Sequence, residues 1–262
     1  QKYEEVSPFV KRIMNGKQNV LWPSEVKWFA RSSGTTGEKS KFIPVTYESL
    51  EECHYRGGKD ILAFYFSSYP DTAVLTGKSL TLGGSHQINP VGANSYYGDL
   101  SAILIDNLPF WADLIKTPPQ EIALLEKWEE KLEKLSSVTV SENVTSIAGV
   151  PSWMLVLLRY ILEKTGKKTI PEVWPNLELF IHGGVSFRPY RDQYLQLIPS
   201  EKMHYMEAYN ASEGFFAIQD DPLRDDMLLM LDYGIFYEFI PLDQLNSGNW
   251  KACSIGEVET GK

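Results

Sequence analysis

The apolar positions of this chain recur with two spacings, one typical of helices and one typical of strands. Helical spacing predicts helices at 3–15, 47–67, 117–135, 152–164 and 188–198. Short apolar runs bounded by turn residues predict strands at 26–31, 42–46, 74–82, 144–148, 177–181 and 203–208. Residues 226–240 predict a β-hairpin that turns at Tyr233-Gly234. Because strands and helices alternate through the middle of the chain, the pattern indicates an α/β architecture with a largely parallel central sheet.

Polar motifs interrupt this pattern directly after three of the predicted strands, at residues 32–41, 182–187 and 209–214. In parallel sheets, ligands bind at the carboxyl ends of the strands. The three motifs are therefore expected to contribute to one shared site. Residues 87–100, rich in Gly, Asn and Tyr, have little periodicity and predict a long loop, which in compact domains is often functional.

The first motif, Arg31 to Lys41, combines two glycines, several hydroxyl residues and two lysines, a composition suited to holding phosphate. An ordinary Ser/Gly/Thr turn is the alternative. Two features argue against a P-loop of the Walker type, since that loop requires G-x-x-x-x-G-K-[ST] running into a helix. Here Glu38 separates Gly37 from Lys39, and a predicted strand follows at Phe42. The motif is therefore predicted to be strand, loop and strand.

The other two motifs supply what nucleotide handling needs besides a phosphate loop. Gly183-Gly184 offers bare backbone for a planar base, Tyr209 offers a ring, and Ser212-Glu213 pairs a hydroxyl with a carboxylate that could hold Mg²⁺. Each has a simpler interpretation. The glycines could form only a turn, the tyrosine could be a packing residue, and Glu213 could cap a helix.

Composition narrows the class of protein. The 262 residues carry a net charge of −9 without an extended basic run, which argues against a nucleic-acid partner and favours a small molecule. Two cysteines and no long apolar segment favour a soluble, cytoplasmic protein with neither a disulfide framework nor a membrane span. The charged residues of 126–134 are interpreted as a solvated helix face, and Trp111, Trp128 and Trp174 as core residues. Nothing in the sequence indicates an oligomeric state.

The motifs together carry a family resemblance that covers essentially the whole chain. Ser32 to Gly37 with Lys39 resembles the phosphate loop of the adenylate-forming superfamily, and Tyr209-x-x-Ser212-Glu213 resembles its second signature. The segments Trp22-Pro23-Ser24-Glu25, Ala148 to Trp153 and Tyr209 to Gly214 are similar to the auxin-responsive-promoter (Gretchen Hagen) family of acyl-acid amido synthetases, in a bacterial-type version. The expected fold is that superfamily's large N-terminal lobe, with mixed, mostly parallel sheets flanked by helices.

The resemblance implies an ATP- and Mg²⁺-dependent ligase that activates a small carboxylic acid as an acyl-adenylate and transfers it to an amino-acid amine. By matching positions, the residues implied to hold the ATP phosphates are Ser32, Ser33, Gly34, Thr35, Thr36, Gly37 and Lys39. Gly183, Gly184 and Val185 would line the adenine, and Tyr209 would pack on it. Ser212 would reach the α-phosphate or the acyl oxygen, and Glu213 would bind Mg²⁺. The implied catalytic residues are thus Lys39, Ser212 and Glu213.

Two parts of the family pattern are not found in these residues: a Gly-Asp strand that holds the ribose, and a C-terminal lid. Residues 1–262 are therefore expected to be a partial adenylation domain, part of a longer protein, which need not be active alone. An acyl-CoA ligase and a non-catalytic nucleotide- or acid-binding module stay open as alternatives. His86, residues 87–100 and Trp153 are candidates for the acyl pocket.

Overall fold

The chain folds around a seven-stranded sheet in a computed structural model that describes residues 3–32, 41–84, 88–92, 94–245 and 250–259. Its strands, in spatial order, are β11 (Leu228–Leu229), β10 (Gly214–Ile218), β9 (His204–Ala211), β8 (Leu179–Gly183), β7 (Val144–Gly149), β3 (Lys78–Leu82) and β6 (Lys116–Thr117). Pairing is parallel from β6 through β9 and antiparallel at β10 and β11. The prediction of a largely parallel central sheet is confirmed.

A second, four-stranded sheet carries the first polar motif. Its spatial order is β2 (Phe42–Val45), β1 (Trp28–Arg31), β5 (Ser95–Gly98) and β4 (Asn89–Gly92). The prediction of a loop over 87–100 is wrong for most of that segment, because β4 and β5 form an antiparallel pair within it. β5 also pairs in parallel with β1, and the rings of Trp28 and Tyr96 lie 5.1 Å apart. These partners are far apart in sequence, so local periodicity could not reveal the pairing.

Helices cover both faces of the large sheet. The described helices are α1 (Tyr3–Met14), a π-helical segment (Ser49–Tyr55) continued by α2 (Arg56–Ser68), α3 (Leu100–Asp106), α4 (Phe110–Ile115), α5 (Gln120–Ala123), α6 (Trp128–Thr139), α7 (Pro151–Thr165), α8 (Arg191–Leu197) and α9 (Leu242–Leu245). Short 3₁₀ turns occur at Val74–Thr76, Ile170–Glu172 and Ile255–Glu257. A pair of two-residue strands, β12 (Glu238–Phe239) and β13 (Cys253–Ser254), completes the described structure.

Two apolar clusters hold the helices on the large sheet. On one face, Leu158 and Ile161 of α7 are fully buried in a cluster with Phe180 of β8. On the other face, Ile61 and Tyr65 of α2 are buried in the cluster of Leu179, Met206 and Phe215. Within the described residues, no helix has both the length and the apolar character needed to cross a membrane.

Three further sequence predictions are corrected by this structure. The helix expected at 117–135 is two helices, α5 and α6, and Thr117 lies in β6, where its buried hydroxyl donates to Glu142 rather than capping a helix. Residues 226–240 form no hairpin, because β11 pairs with β10 whereas β12 pairs with β13. Of the tryptophans assigned to the core, Trp174 is buried, Trp128 is half-buried, and Trp111 is exposed.

Candidate active site

The second and third polar motifs meet at the carboxyl edge of the large sheet. β8 and β9 pair in parallel, so Gly183 lies opposite Ala208 and directly beside the strand position that leads to Tyr209. β7 ends at the same level, since Gly149 lies opposite His182. The structure therefore brings Gly183-Gly184-Val185 and Tyr209 together, as the sequence predicted.

Glycine occupies positions 183 and 184 of this edge for two different structural reasons. A Cβ on Gly183 would stand 2.3 Å from the Ala208 carbonyl oxygen, so only glycine lets β8 approach β9 this closely. Gly184 has a φ of +80°, in the left-handed region that favours glycine. Next to them, the side chains of Val185 and Tyr209 are exposed, at 42% and 53%. The edge thus presents bare backbone and an open aromatic ring, a surface on which a planar base could lie.

Ser212 and Glu213 form the two-residue turn between β9 and β10, because Ala211 pairs with Gly214. Glu213 is exposed in this turn, which excludes its interpretation as a helix cap. Two residues of the π-helical segment stabilise this hairpin through hydrogen bonds. The backbone N–H of Phe215 donates to Cys53 Sγ at 3.2 Å, and His54 Nδ1 lies 3.1 Å from Asn210 Oδ1.

Glu213 is the residue of this turn that could hold a magnesium ion brought in with phosphate. Mg²⁺ in nucleotide sites is usually held by one or two carboxylates plus substrate oxygens. In the part of the chain that the structure describes, no group of three or more His, Cys, Asp or Glu side chains could by itself hold a metal ion. The single exposed carboxylate at the turn is compatible with Mg²⁺ held jointly by protein and substrate oxygens, and not with a metal site formed by the protein alone.

The first motif is closed at its base by Ser32 and Lys41. The Ser32 N–H donates to the Lys41 carbonyl at 2.9 Å, and the Lys41 N–H donates to Ser32 Oγ at 3.1 Å. β1 and β2 flank the motif as an antiparallel pair, which confirms the predicted strand on either side of it. The remaining predicted phosphate residues lie outside the described residues: Ser33, Gly34, Thr35, Thr36, Gly37 and Lys39. The same holds for His86.

His182 lies buried behind the glycine pair, stacked on Phe187 with ring centroids 4.2 Å apart. Its Nδ1 has no hydrogen-bond partner among the described residues. Burial lowers the pKa of His182 to about 4, so the ring is neutral at neutral pH. The histidine is therefore a neutral packing group beneath the edge.

A largely apolar cavity of about 200 Å³ lies between the π-helical segment, α4 and the face of the large sheet. Its lining includes Trp111 and Ile115 from α4 and Ile181 from β8. His54 also lines it, and this histidine contacts Asn210, two residues before Ser212. The cavity is thus connected through one hydrogen bond to the hairpin that carries the predicted catalytic pair.

Lys131 contradicts the interpretation of 126–134 as a uniformly solvated face, because its side chain is fully buried. Its ammonium group donates to the carbonyls of Gly83 and Gly84 at 3.1 and 2.9 Å, and the Gly84 N–H donates to Ser101 Oγ. Burial lowers the pKa of Lys131 to about 8. The lysine thus fixes the backbone that leaves β3 at the same sheet edge.

Sequence reasoning missed both His54 and Lys131, although a signal existed for each. Lys131 is three residues after Trp128 and four before Leu135, so helical spacing places it on the apolar face. His54 is four residues after Leu50 and seven before Ile61, again on the apolar side. Trp153, a candidate for the acyl pocket, does not line the cavity; it is half exposed and contacts the Trp128 ring at 4.8 Å.

Comparison with solved structures finds the same fold. The acyl acid amido synthetase AtGH3.15 in complex with 2,4-DB superposes with a TM-score of 0.77 at 15% identity, covering 99% of this chain and 53% of that one. A second GH3.15 acyl acid amido synthetase structure gives 0.66 at 16% identity, covering 91% and 50%. The chain thus spans about half the length of these relatives.

The comparison by sequence is more specific. No curated protein matches the chain. The profile of the GH3 family N-terminal domain, however, matches residues 1–203, which is most of the sequence. The chain therefore belongs to the GH3 family.

Proposed function

We propose that the protein is an ATP-dependent ligase that activates a small carboxylic acid as an acyl-adenylate and passes the acyl group to an amino-acid amine. The observation that carries the proposal is the sheet edge where Gly183-Gly184-Val185 lies beside Tyr209 and the Ser212-Glu213 turn. Membership of the GH3 family supports it, and so does the shared fold with acyl acid amido synthetases.

The edge supports a division of roles in the nucleotide site. The exposed Tyr209 ring and the bare backbone at Gly184 take the adenine, with Val185 beside them. Ser212 lies in the turn directly after β9, where its hydroxyl donates to the α-phosphate or the acyl oxygen. Glu213 holds Mg²⁺, which supplies charge neutralisation for the departing pyrophosphate.

The loop between β1 and β2 completes the phosphate site in this proposal. Backbone N–H groups at Gly34 and Gly37 and the hydroxyls of the loop donate to phosphate oxygens, and Lys39 adds a positive charge. The hydroxyl residues are Ser32, Ser33, Thr35 and Thr36. Ser32 accepts a hydrogen bond from Lys41 with its oxygen, so its own proton is available for donation.

The acid is proposed to enter the apolar cavity beside the π-helical segment. A cavity of about 200 Å³ exceeds the roughly 150 Å³ that suffices for benzene in an engineered protein core. It therefore accommodates a compact acid with a ring-sized apolar body. The hydrogen bond from His54 to Asn210 connects this cavity to the Ser212-Glu213 turn.

Carboxylate-dependent exchange between ATP and labelled pyrophosphate, catalysed by the full-length protein, tests the activation step. We expect Glu213→Ala and Lys39→Ala to lower the exchange rate by about 100-fold or more. Each variant lacks a charged side chain that is proposed to help stabilise the negative charge developing on the pyrophosphate. Glu163→Ala, at the far end of α7, and Lys167→Ala, just beyond it, remove exposed charges and serve as matched controls. Equal exchange in all four variants would contradict the assigned roles.

The acceptor is tested separately from activation. Amino acids or coenzyme A are offered to the preformed adenylate, and the products are identified by mass spectrometry. We expect an amide with an amino acid. A thioester as the main product would make the protein an acyl-CoA ligase, and AMP binding without turnover would make it a binding module.

A further inference from the structure

His54 places an unused hydrogen-bonding atom in the apolar cavity. The side chain is 4% exposed and lines the cavity from the π-helical segment. Its Nδ1 lies 3.1 Å from Asn210 Oδ1, whereas its Nε2 is buried and has no partner in the described part of the chain. Buried polar atoms are rarely left unpaired in folded proteins. Unlike His182, His54 borders a cavity that can hold a small molecule, so its unpaired atom points to a ligand.

The hydrogen bond to Asn210 decides which chemistry Nε2 offers. An amide oxygen only accepts, so Nδ1 of His54 carries the hydrogen and donates it. Burial lowers the pKa of His54 to about 4, so at neutral pH the ring has one hydrogen only. Nε2 therefore carries a lone pair and no hydrogen, so it can accept a hydrogen bond but cannot donate one.

No charged or phenolic group that lines the cavity hydrogen-bonds to His54 Nε2 among the described residues. The Lys116 ammonium lies 2.9 Å from Asp113 Oδ1, and the Tyr55 hydroxyl donates to the Leu104 carbonyl at 3.0 Å. Neither pairing involves His54. The rest of the cavity lining is mainly apolar, with Leu62 and Ile181 among its residues, and its hydroxyl residues Ser79, Thr81 and Ser146 do not hydrogen-bond to Nε2. The hydrogen-bond donor for His54 Nε2 must therefore come from a bound molecule.

We infer that the acid taken by this cavity carries a hydroxyl or N–H group on its apolar body, and that His54 Nε2 accepts a hydrogen bond from that group. The carboxylate of the acid does not serve, because its oxygens are acceptors and would face another lone pair. His54 is thus a specificity-determining residue. The inference rests on the proposed function for identifying the occupant of the cavity as the acid substrate.

Benzoate and its 2-, 3- and 4-hydroxy derivatives test the inference by direct binding. Affinities are measured by calorimetry without nucleotide, using the wild-type chain, His54→Leu and His54→Gln. Wild type is expected to bind at least one hydroxybenzoate about tenfold or more tightly than benzoate, since leaving Nε2 unpaired is unfavourable. His54→Leu should lose or reverse this preference, whereas His54→Gln, which keeps an acceptor, should retain part of it. Thermal unfolding of each variant verifies that it folds.

The outcomes separate this inference from the proposed function. If exchange of pyrophosphate occurs but wild type and His54→Leu show the same preference, the inference is overturned and the ligase proposal stands. If the preference depends on His54 but no acid supports exchange, the cavity assignment stands and the ligase proposal fails. A wild type that binds benzoate as tightly as all three hydroxybenzoates, or that binds none of the four acids, overturns the inference directly.

Discussion

Acidification from about pH 6.5 to pH 4 is expected to destabilise the protein strongly, because His54 and His182 are buried as neutral rings. The pKa of each is lowered from 6.5 to about 4, with burial as the main cause. In this pH interval the unfolded chain binds a proton at each histidine and the folded chain does not. Lower pH therefore favours the unfolded state, and the stability that these residues contribute is present above pH 6.5.

The expected loss of unfolding free energy on acidification is large for only two residues. A pKa lowered from 6.5 to about 4 corresponds to about 3 kcal/mol per histidine, so the pair accounts for about 6 kcal/mol. Domains are commonly stable by only about 5–15 kcal/mol, so this loss is enough to unfold many of them. His204, whose pKa burial also lowers, acts in the same direction, whereas Glu207, whose pKa burial raises, opposes it.

Urea unfolding at a series of pH values between about 7 and 4.5 measures this effect. Each single variant, His54→Gln or His182→Gln, should lose roughly half of the pH dependence, and the double variant most of it. The comparison is of slopes against pH, so a general loss of stability in a variant does not obscure the result. A free energy of unfolding that changes by less than about 1 kcal/mol over this range in wild type would contradict the prediction.

Gly183→Ala is expected to destabilise the protein by about 3 kcal/mol and to weaken nucleotide binding. The new Cβ would stand 2.3 Å from a backbone oxygen, the carbonyl of Ala208, which cannot rotate away as a side chain could. β8 and β9 must therefore separate where they pair. Overpacking of this kind typically costs about 1–3 kcal/mol. We expect a cost at the upper end of this range because the clashing atom belongs to the backbone.

Gly256→Ala provides the matched control, because a Cβ there has no atom within 4 Å and the residue's φ is not positive. We expect its free energy of unfolding to stay within about 0.5 kcal/mol of wild type. Titration with AMP then separates the two effects of Gly183→Ala. An alanine variant with wild-type stability and wild-type AMP affinity would show that close approach of these strands is not required.

Local chemistry explains why most elements, and the position of two polar motifs directly after strands, could be predicted. Pro151 at the first position and Gly166 at a φ of 67° delimit α7, and both signals are visible in the sequence. The strands β7 and β8 are short apolar runs followed by glycines, so their carboxyl ends could be recognised. The adjacency of Gly183 and Tyr209 then followed from the rule that sequential strands of such a sheet are neighbours.

Predictions failed where the deciding partner is distant in sequence. The segment of β4 and β5 lacks periodicity because its strands are stabilised by pairing and not by an alternating apolar face: β5 pairs with Trp28 and its neighbours, and β4 pairs with β5. β12 finds its partner in Cys253–Ser254 and not in the apolar run before it. Thr117 is buried in an edge strand whose partner begins at Lys78. A local window contains none of these partners.

The sequence by itself therefore determined the α/β class, the family, and the residue types available for a nucleotide site, because these depend on local spacing and on motifs. Tertiary structure alone decided what His54 and Lys131 do. Both are polar residues on apolar helix faces, and their roles depend on what the folded chain places opposite them. For Lys131 those partners are two carbonyls, and for His54 they are one amide oxygen and a cavity, which leaves a lone pair for a ligand to satisfy.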